Sequence, residues 1–218
     1  NKSIHYLTLS ANQNNFNAQF LLGTIYYLGE YISQNINKSI QYLTLSANQY
    51  HSDAQYYLGV IYYLGKYISR DINKSIHYLT LSANQNNSKA QCILGEIYYN
   101  GKYIEKDIEK AIHYFKESSS FNNNIAKNYL GIIYKNGDGV ERNIYFAKVY
   151  FKEAIKQKEE CYSMYNLARI YYFGIGQERK ISKAISLLEQ ASKRQLFIAD
   201  IFLFYIFSNC DNEIFLDL

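Results

Sequence analysis

LLGTIYYLG at residues 21–29 recurs as YLGVIYYLG at 57–65, ILGEIYYNG at 93–101 and YLGIIYKNG at 129–137, each 36 residues on, and as NLARIYYFG at 166–174 after 37. Self-similarity with a period in this range marks a tandem array of like supersecondary units, each burying its apolar face only against its neighbours. The architecture therefore follows from one stretch and its echoes. The task follows far less directly, because such arrays bind things and scaffold residues seldom specify what is bound.

Two markers set the register. Gly29, Gly65, Gly101, Gly137 and Gly174 close the first segment of each unit, while Ser3, Ser39, Ser75, Ala111, Ala147 and Ala184 stand near the start of the second. Between them lies a turn carrying Asn35, Asp71, Asp107 or Asn143. A short side-chain oxygen there can accept from the free N–H groups of a helix's first turn. Lys180 holds that place in the fifth unit, so its second helix is expected to start less cleanly. Ala18, Leu22, Ile25, Tyr26 and Gly29 are spaced by helical steps, as are Ser39, Tyr42, Leu43, Ser46 and Ala47. Each unit thus reads as two helices of about three turns. The lack of proline in 218 residues agrees with helices joined by glycine and asparagine turns.

The pattern Ala-x3-Leu-Gly-x2-Tyr-x2-Gly, a turn, then Lys-Ala/Ser-x2-aromatic-x3-small-small resembles the Sel1-like repeat, a relative of the tetratricopeptide repeat, over nearly the whole chain. The resemblance implies an all-α fold, an α-α superhelical solenoid of antiparallel helix pairs. The repeats are then 16–51, 52–87, 88–123, 124–160 and 161–196, after the second helix of a truncated repeat at 1–15 and before a closing helix and tail at 197–218. No initiator Met or first helix precedes residues 1–15, and a fragment of a longer protein is expected. The family's second turn glycine survives as Gly139 and Gly176. Tyr31, Tyr67 and Tyr103 replace it elsewhere, and those turns are expected to differ in backbone, since tyrosine tolerates positive φ poorly.

Gly23, Gly59, Gly95 and Gly131 fall in mid-helix, where glycine costs about 1 kcal/mol relative to alanine. Close approach of a neighbouring helix would offset that cost, and Tyr42, Tyr78, Tyr114 and Tyr150 are expected to fill the space beside these glycines. Small pairs such as Ser46-Ala47 and Ser82-Ala83 are expected where helices cross. In the last segment Ala199 and Leu203 keep the first-helix pattern, but Phe204 replaces the packing glycine, so stacking is expected to stop there. The apolar run 196–207 is shorter than the roughly 20 residues a bilayer span requires. It reads as a closing helix, with a partner-docking helix as the alternative.

Composition bounds the function. With 48% hydrophobic and 19% charged residues the chain is globular rather than disordered. A formal charge of +4 is modest, its basic residues are spread along the array, and no nucleic-acid motif accompanies them. Cys92, Cys161 and Cys210 are too few and too dispersed for a zinc cluster or a disulfide framework. A subgroup of the resembling family pairs cysteines in every repeat and is linked to secreted, β-lactam-associated activity; this chain lacks that pairing. A cytoplasmic location is expected.

Candidates for chemistry reduce to copies or solvated groups. His5, His77 and His113 share one repeat position, with Gln41 in the missing slot, and neighbouring repeats stand about 10 Å apart, too far for shared ligation. His51 reads as a solvated turn residue and Glu159-Glu160 as a solvated loop pair. No strand precedes Gly137-Asp138-Gly139, so it is not a phosphate loop. No nucleophile, base and oxyanion site assemble. Neither enzyme activity, nor a cofactor, nor a metal is expected.

By analogy with tetratricopeptide arrays, the first helix of each pair would line a concave side. The positions pointing away from the packing stripe include Phe20, Tyr27, Tyr56, Tyr63, Glu96, Tyr99, Lys135, Tyr165, Arg169 and Tyr172, with Cys92 and Asn128 in the same series. Tyrosine supplies apolar area and a hydroxyl at low entropic cost, which suits a peptide or protein partner. Many of the 25 tyrosines could equally be packing residues. The leading reading is an interaction scaffold. Two alternatives come from the resemblance: a regulatory or targeting region of a larger enzyme such as a protein kinase, and a secreted or lumenal repeat protein. For the latter, Asn37-Lys38-Ser39 and Asn73-Lys74-Ser75 fit the glycosylation pattern, yet both serines fall at the small packing position.

Overall fold

The computed structural model describes residues 2–156 and 160–214, the last six of these by backbone alone. Asn1, Glu159, the tail 215–218 and the Cys210 side chain lie outside the described residues. Within them the chain is twelve α-helices without a strand: α1 (Lys2–Asn12), α2 (Phe16–Leu28), α3 (Ile36–Ala47), α4 (Ser52–Leu64), α5 (Ile72–Ala83), α6 (Ser88–Asn100), α7 (Ile108–Ser120), α8 (Asn124–Asn136), α9 (Ile144–Ile155), α10 (Cys161–Phe173), α11 (Ile181–Ser192) and α12 (Phe197–Ile214). Successive helices pair antiparallel in an α-α solenoid. None is long and apolar enough to cross a membrane.

The chain divides into two compact units, Asn1–Phe121 and Asn122–Leu218. In the first, α1 packs on α2, the pairs α2–α3, α4–α5 and α6–α7 are joined along the seams α3–α4 and α5–α6, and the first helices α4 and α6 also touch. In the second, α8–α9 and α10–α11 meet along α9–α10, α12 packs on α11, and α8 touches α10.

Local chemistry explains the helix ends. Asn35, Asp71, Asp107 and Asn143 accept from the N–H of Lys38, Lys74, Lys110 and Phe146 at 2.9–3.0 Å, while Lys180 makes no side-chain cap. Gly29, Gly65, Gly101, Gly137 and Gly174 adopt left-handed φ between 59° and 83° and donate to the carbonyl four residues back. A glycine ends a helix this way without a Cβ clash. Of the turn tyrosines, Tyr67 and Tyr103 avoid positive φ as expected, but Tyr31 does not: at 78% exposure it takes φ 65°, beside 66° at Gly139 and Gly176.

The packing beside the mid-helix glycines differs from expectation. A Cβ on Gly23 or Gly59 would come within 2.6 or 2.5 Å of Leu43 or Leu79 Cγ, and one on Gly95 or Gly131 would meet the ring of Phe115 or Phe151 at 2.6 or 2.5 Å. The fillers are thus the residues after Tyr42, Tyr78, Tyr114 and Tyr150. Those tyrosines instead stack on Tyr26, Tyr62, Tyr98 and Tyr134 with centroids 5.6–6.0 Å apart. The physical reason is the hydroxyl: a fully buried crossing suits an all-carbon side chain, whereas tyrosine wants a wetter edge for its oxygen. Burial raises the Tyr78, Tyr114 and Tyr150 phenols above the usual range, and all stay neutral at physiological pH. Where helices cross, Ser46, Ser82 and Ser118 hydroxyls donate to the carbonyls of Phe16, Ser52 and Ser88 at 2.7–2.9 Å.

α12 buries Ala199 and Ile206 and leaves Phe197, Ile201 and Phe204 exposed, Phe204 by 74%. The outward side of α12 is thus apolar.

Candidate interaction face

In the first unit Phe20, Tyr27, Tyr56, Tyr63, Glu96 and Tyr99 are half-buried, while Cys92 is buried. Three of the first-helix aromatics, Phe20, Tyr27 and Tyr63, rest on the next repeat. Phe20 stacks on His51 at 4.6 Å, Tyr27 meets the edges of Tyr57 and Tyr67 at 6.2 and 6.5 Å, and Tyr63 meets Tyr103 at 6.4 Å. Burial, first of all, lifts the Tyr27, Tyr56 and Tyr63 phenols, so they remain neutral hydrogen-bonding groups. Cations from the following turn lie over the rings: Lys66 over Tyr67 at 4.8 Å, Arg70 over Tyr103 at 4.4 Å and Lys106 over Tyr99 at 5.0 Å. Glu96 lies among these groups. Burial raises its carboxyl, partly offset by the Cys92 thiol 3.9 Å away.

In the second unit Tyr165 is half-buried and Arg169 reaches over its ring at 5.7 Å. Asn128 is buried and accepts from Ser163 Oγ and Asn166 Nδ2, both at 3.1 Å. Tyr172 is only 7% exposed, covered by Phe202 and Tyr205 of α12 at 5.3 and 6.2 Å. Lys135 is half-buried; burial and then Arg169 lower its ammonium pKa.

His51 is not a free turn residue. It is the N-cap of α4, where Nδ1 accepts from Ala54 N–H at 3.2 Å, and burial lowers its pKa. Asn15, Asn87 and Asn123 do the same for α2, α6 and α8. Glu160 is buried at the start of α10, and that burial raises its carboxyl, against the solvated loop expected of it. His5, His77 and His113 are exposed and lean on the tyrosines that follow them. Among the described residues no group of three His, Cys, Asp or Glu could hold a metal. Ser39 and Ser75 of the glycosylation-like triplets are fully buried.

Two periodic devices went unread in the sequence. Gln19, Gln55 and Gln91 are buried, and each Nε2 donates to the last turn of the preceding helix at Ala11, Ala47 or Ala83 O, 3.1–3.3 Å. After four of the five first helices, Gln34, Arg70, Arg142 and Arg179 reach back seven residues to a terminal carbonyl at 2.6–3.1 Å. Their recurrence at the repeat period was the available signal.

The Sel1 repeat profile matches residues 1–15, 17–51, 52–87, 88–120, 124–159 and 161–196. Among solved structures, a Sel1 repeat protein from Oxalobacter formigenes superposes with TM-score 0.80 at 24% identity, over 86% of this chain and 74% of that one. The uropathogenic Escherichia coli protective antigen c5321, with an SLR fold, gives 0.70 at 22% over 93% and 51%. The immunity protein Pa5087 of Pseudomonas aeruginosa gives 0.56 at 17% over 87% and 72%. None of the curated proteins matches the chain. With six matched repeats spanning most of its length, the chain belongs to the Sel1 repeat family, whose members commonly serve as protein-interaction scaffolds.

Proposed function

We propose that this chain is a non-catalytic interaction scaffold that captures a peptide or protein partner on its first-helix face. The observation that carries this reading is the row of half-buried tyrosines Tyr27, Tyr63 and Tyr99, beside which stand the turn cations Lys66, Arg70 and Lys106. Rigid aromatic area with a hydroxyl at its edge is what recurrent peptide contacts use. Tyr56 and Phe20 extend the row, and Glu96 adds a carboxylate for a basic partner residue.

The test is peptide selection by phage display on the immobilised chain, followed by retention of the enriched peptides on a Tyr63→Ala/Tyr99→Ala variant of unchanged circular dichroism. Retention should fall at least about tenfold, the loss expected of two interface aromatics. Equal retention on both proteins would remove the first-helix face from the interaction.

A further inference from the structure

In the second unit the turn after α8 and the exposed side of α10 enclose a cleft of about 370 Å³ lined by Lys135, Asn136, Arg142, Arg169 and Ile175. Three of these five residues are cations. No ion pair engages any of them among the described residues. The carboxylate beside the cleft, Asp138, accepts from Asn136 Nδ2 at 3.2 Å. Arg142 is held in place by its Nε–H, which donates to Lys135 O at 3.1 Å and leaves the two terminal nitrogens of its fork available. Arg169 belongs to a second cleft of about 360 Å³, whose other walls include Tyr165, Ile198, Ile201 and Phe202 and are mainly apolar. Arg169 therefore stands where a cationic cleft meets an apolar one.

We propose that Lys135, Arg142 and Arg169 form an oxyanion site that takes a carboxylate or phosphate carried by a peptide partner, whose adjacent apolar side chain enters the cleft beyond Arg169. Like charges gathered around one cleft repel one another, Lys135 from a half-buried position and Arg142 and Arg169 from exposed ones, and an anion relieves that repulsion while accepting charge-assisted hydrogen bonds. The Lys135 ammonium pKa is lowered by burial and then by the Arg169 guanidinium, with the Asp138 carboxylate partly offsetting both. Guanidinium forks suit both oxyanions, which differ in charge and oxygen count. The peptide as carrier rests on the scaffold reading above. The oxyanion site itself does not.

The site can be tested without a partner. In the ¹⁵N-labelled full chain, the Arg Nε–H resonances are followed while sodium phosphate, sodium acetate or sodium chloride is added at matched ionic strength. Arg142 and Arg169 should shift saturably with phosphate, with acetate or with both, and Arg169→Gln and Lys135→Gln should each weaken that binding about tenfold, as for loss of one charge-assisted hydrogen bond. Saturation by phosphate alone assigns the group to a phosphorylated side chain. Saturation by acetate assigns it to Asp or Glu. Shifts that follow ionic strength equally in all three salts, or binding unchanged in both variants, would overturn the site. A failed peptide selection would leave this measurement untouched, so the two proposals fail separately.

Discussion

Gly59 sits 2.5 Å, measured from the Cβ it lacks, from Leu79 Cγ, so the α4–α5 crossing is set by the absence of a methyl. The motif glycine was evident from recurrence alone; its filler was not, because adjacent helix positions Tyr78 and Leu79 recur equally well and differ only in which one can be sealed from water. Overpacking by Gly59→Ala should cost about 1–3 kcal/mol, offset in part by the roughly 1 kcal/mol that alanine gains over glycine inside a helix, a net loss read as a lower urea midpoint. An unchanged midpoint would mean the crossing has slack. The fifth repeat carries Ala168 there, fully buried in the same core cluster as Leu188, so one methyl is tolerated in that repeat. The buried glutamines show a different limit. Gln19, Gln55 and Gln91 look like surface residues in the sequence because glutamine is mostly exposed, and only the carbonyl each one satisfies explains their place inside.

Helix starts were foreseen on one side of each pair and overlooked on the other. The second-helix caps form a uniform Asn/Asp series, and Lys180 breaks it as its missing oxygen dictates. The first-helix caps run Asn15, His51, Asn87 and Asn123, where the imidazole disguises the series. That disguise has a measurable consequence for α4. Nδ1 can accept from Ala54 only while unprotonated, and burial lowers the His51 pKa below its unfolded value. The unfolded chain therefore binds the proton more readily, so the contribution of His51 is full above about pH 6.5 and is lost as pH falls toward the folded pKa. Compared with wild type, His51→Asn should gain stability on going from pH 7.5 to 5.5, by up to about 1 kcal/mol, the worth of a helix cap. A pH-independent difference in urea midpoint would contradict that role.

Over the whole chain, the 36-residue echo determines the order of helices, the glycine stops and the apolar stripe, since each depends on local spacing that every repeat restates. The candidate face is only partly readable in the sequence. Tyr27, Tyr63 and Tyr99 stay partly exposed, whereas Tyr172 is covered by Phe202 and Tyr205, contacts that only the folding of α12 back onto α10 creates. Lys135, Arg142 and Arg169 are dispersed along the chain and meet because α8 and α10 touch. If the first helices form the binding face, a photo-crosslinking residue should distinguish them from the second. Benzoylphenylalanine placed at Tyr63 or Tyr99 should crosslink to the selected peptides, and the same residue at Tyr78 or Tyr114 on the second helices should not. Crosslinks from Tyr78 and Tyr114 with none from Tyr63 and Tyr99 would place the partner on the opposite face.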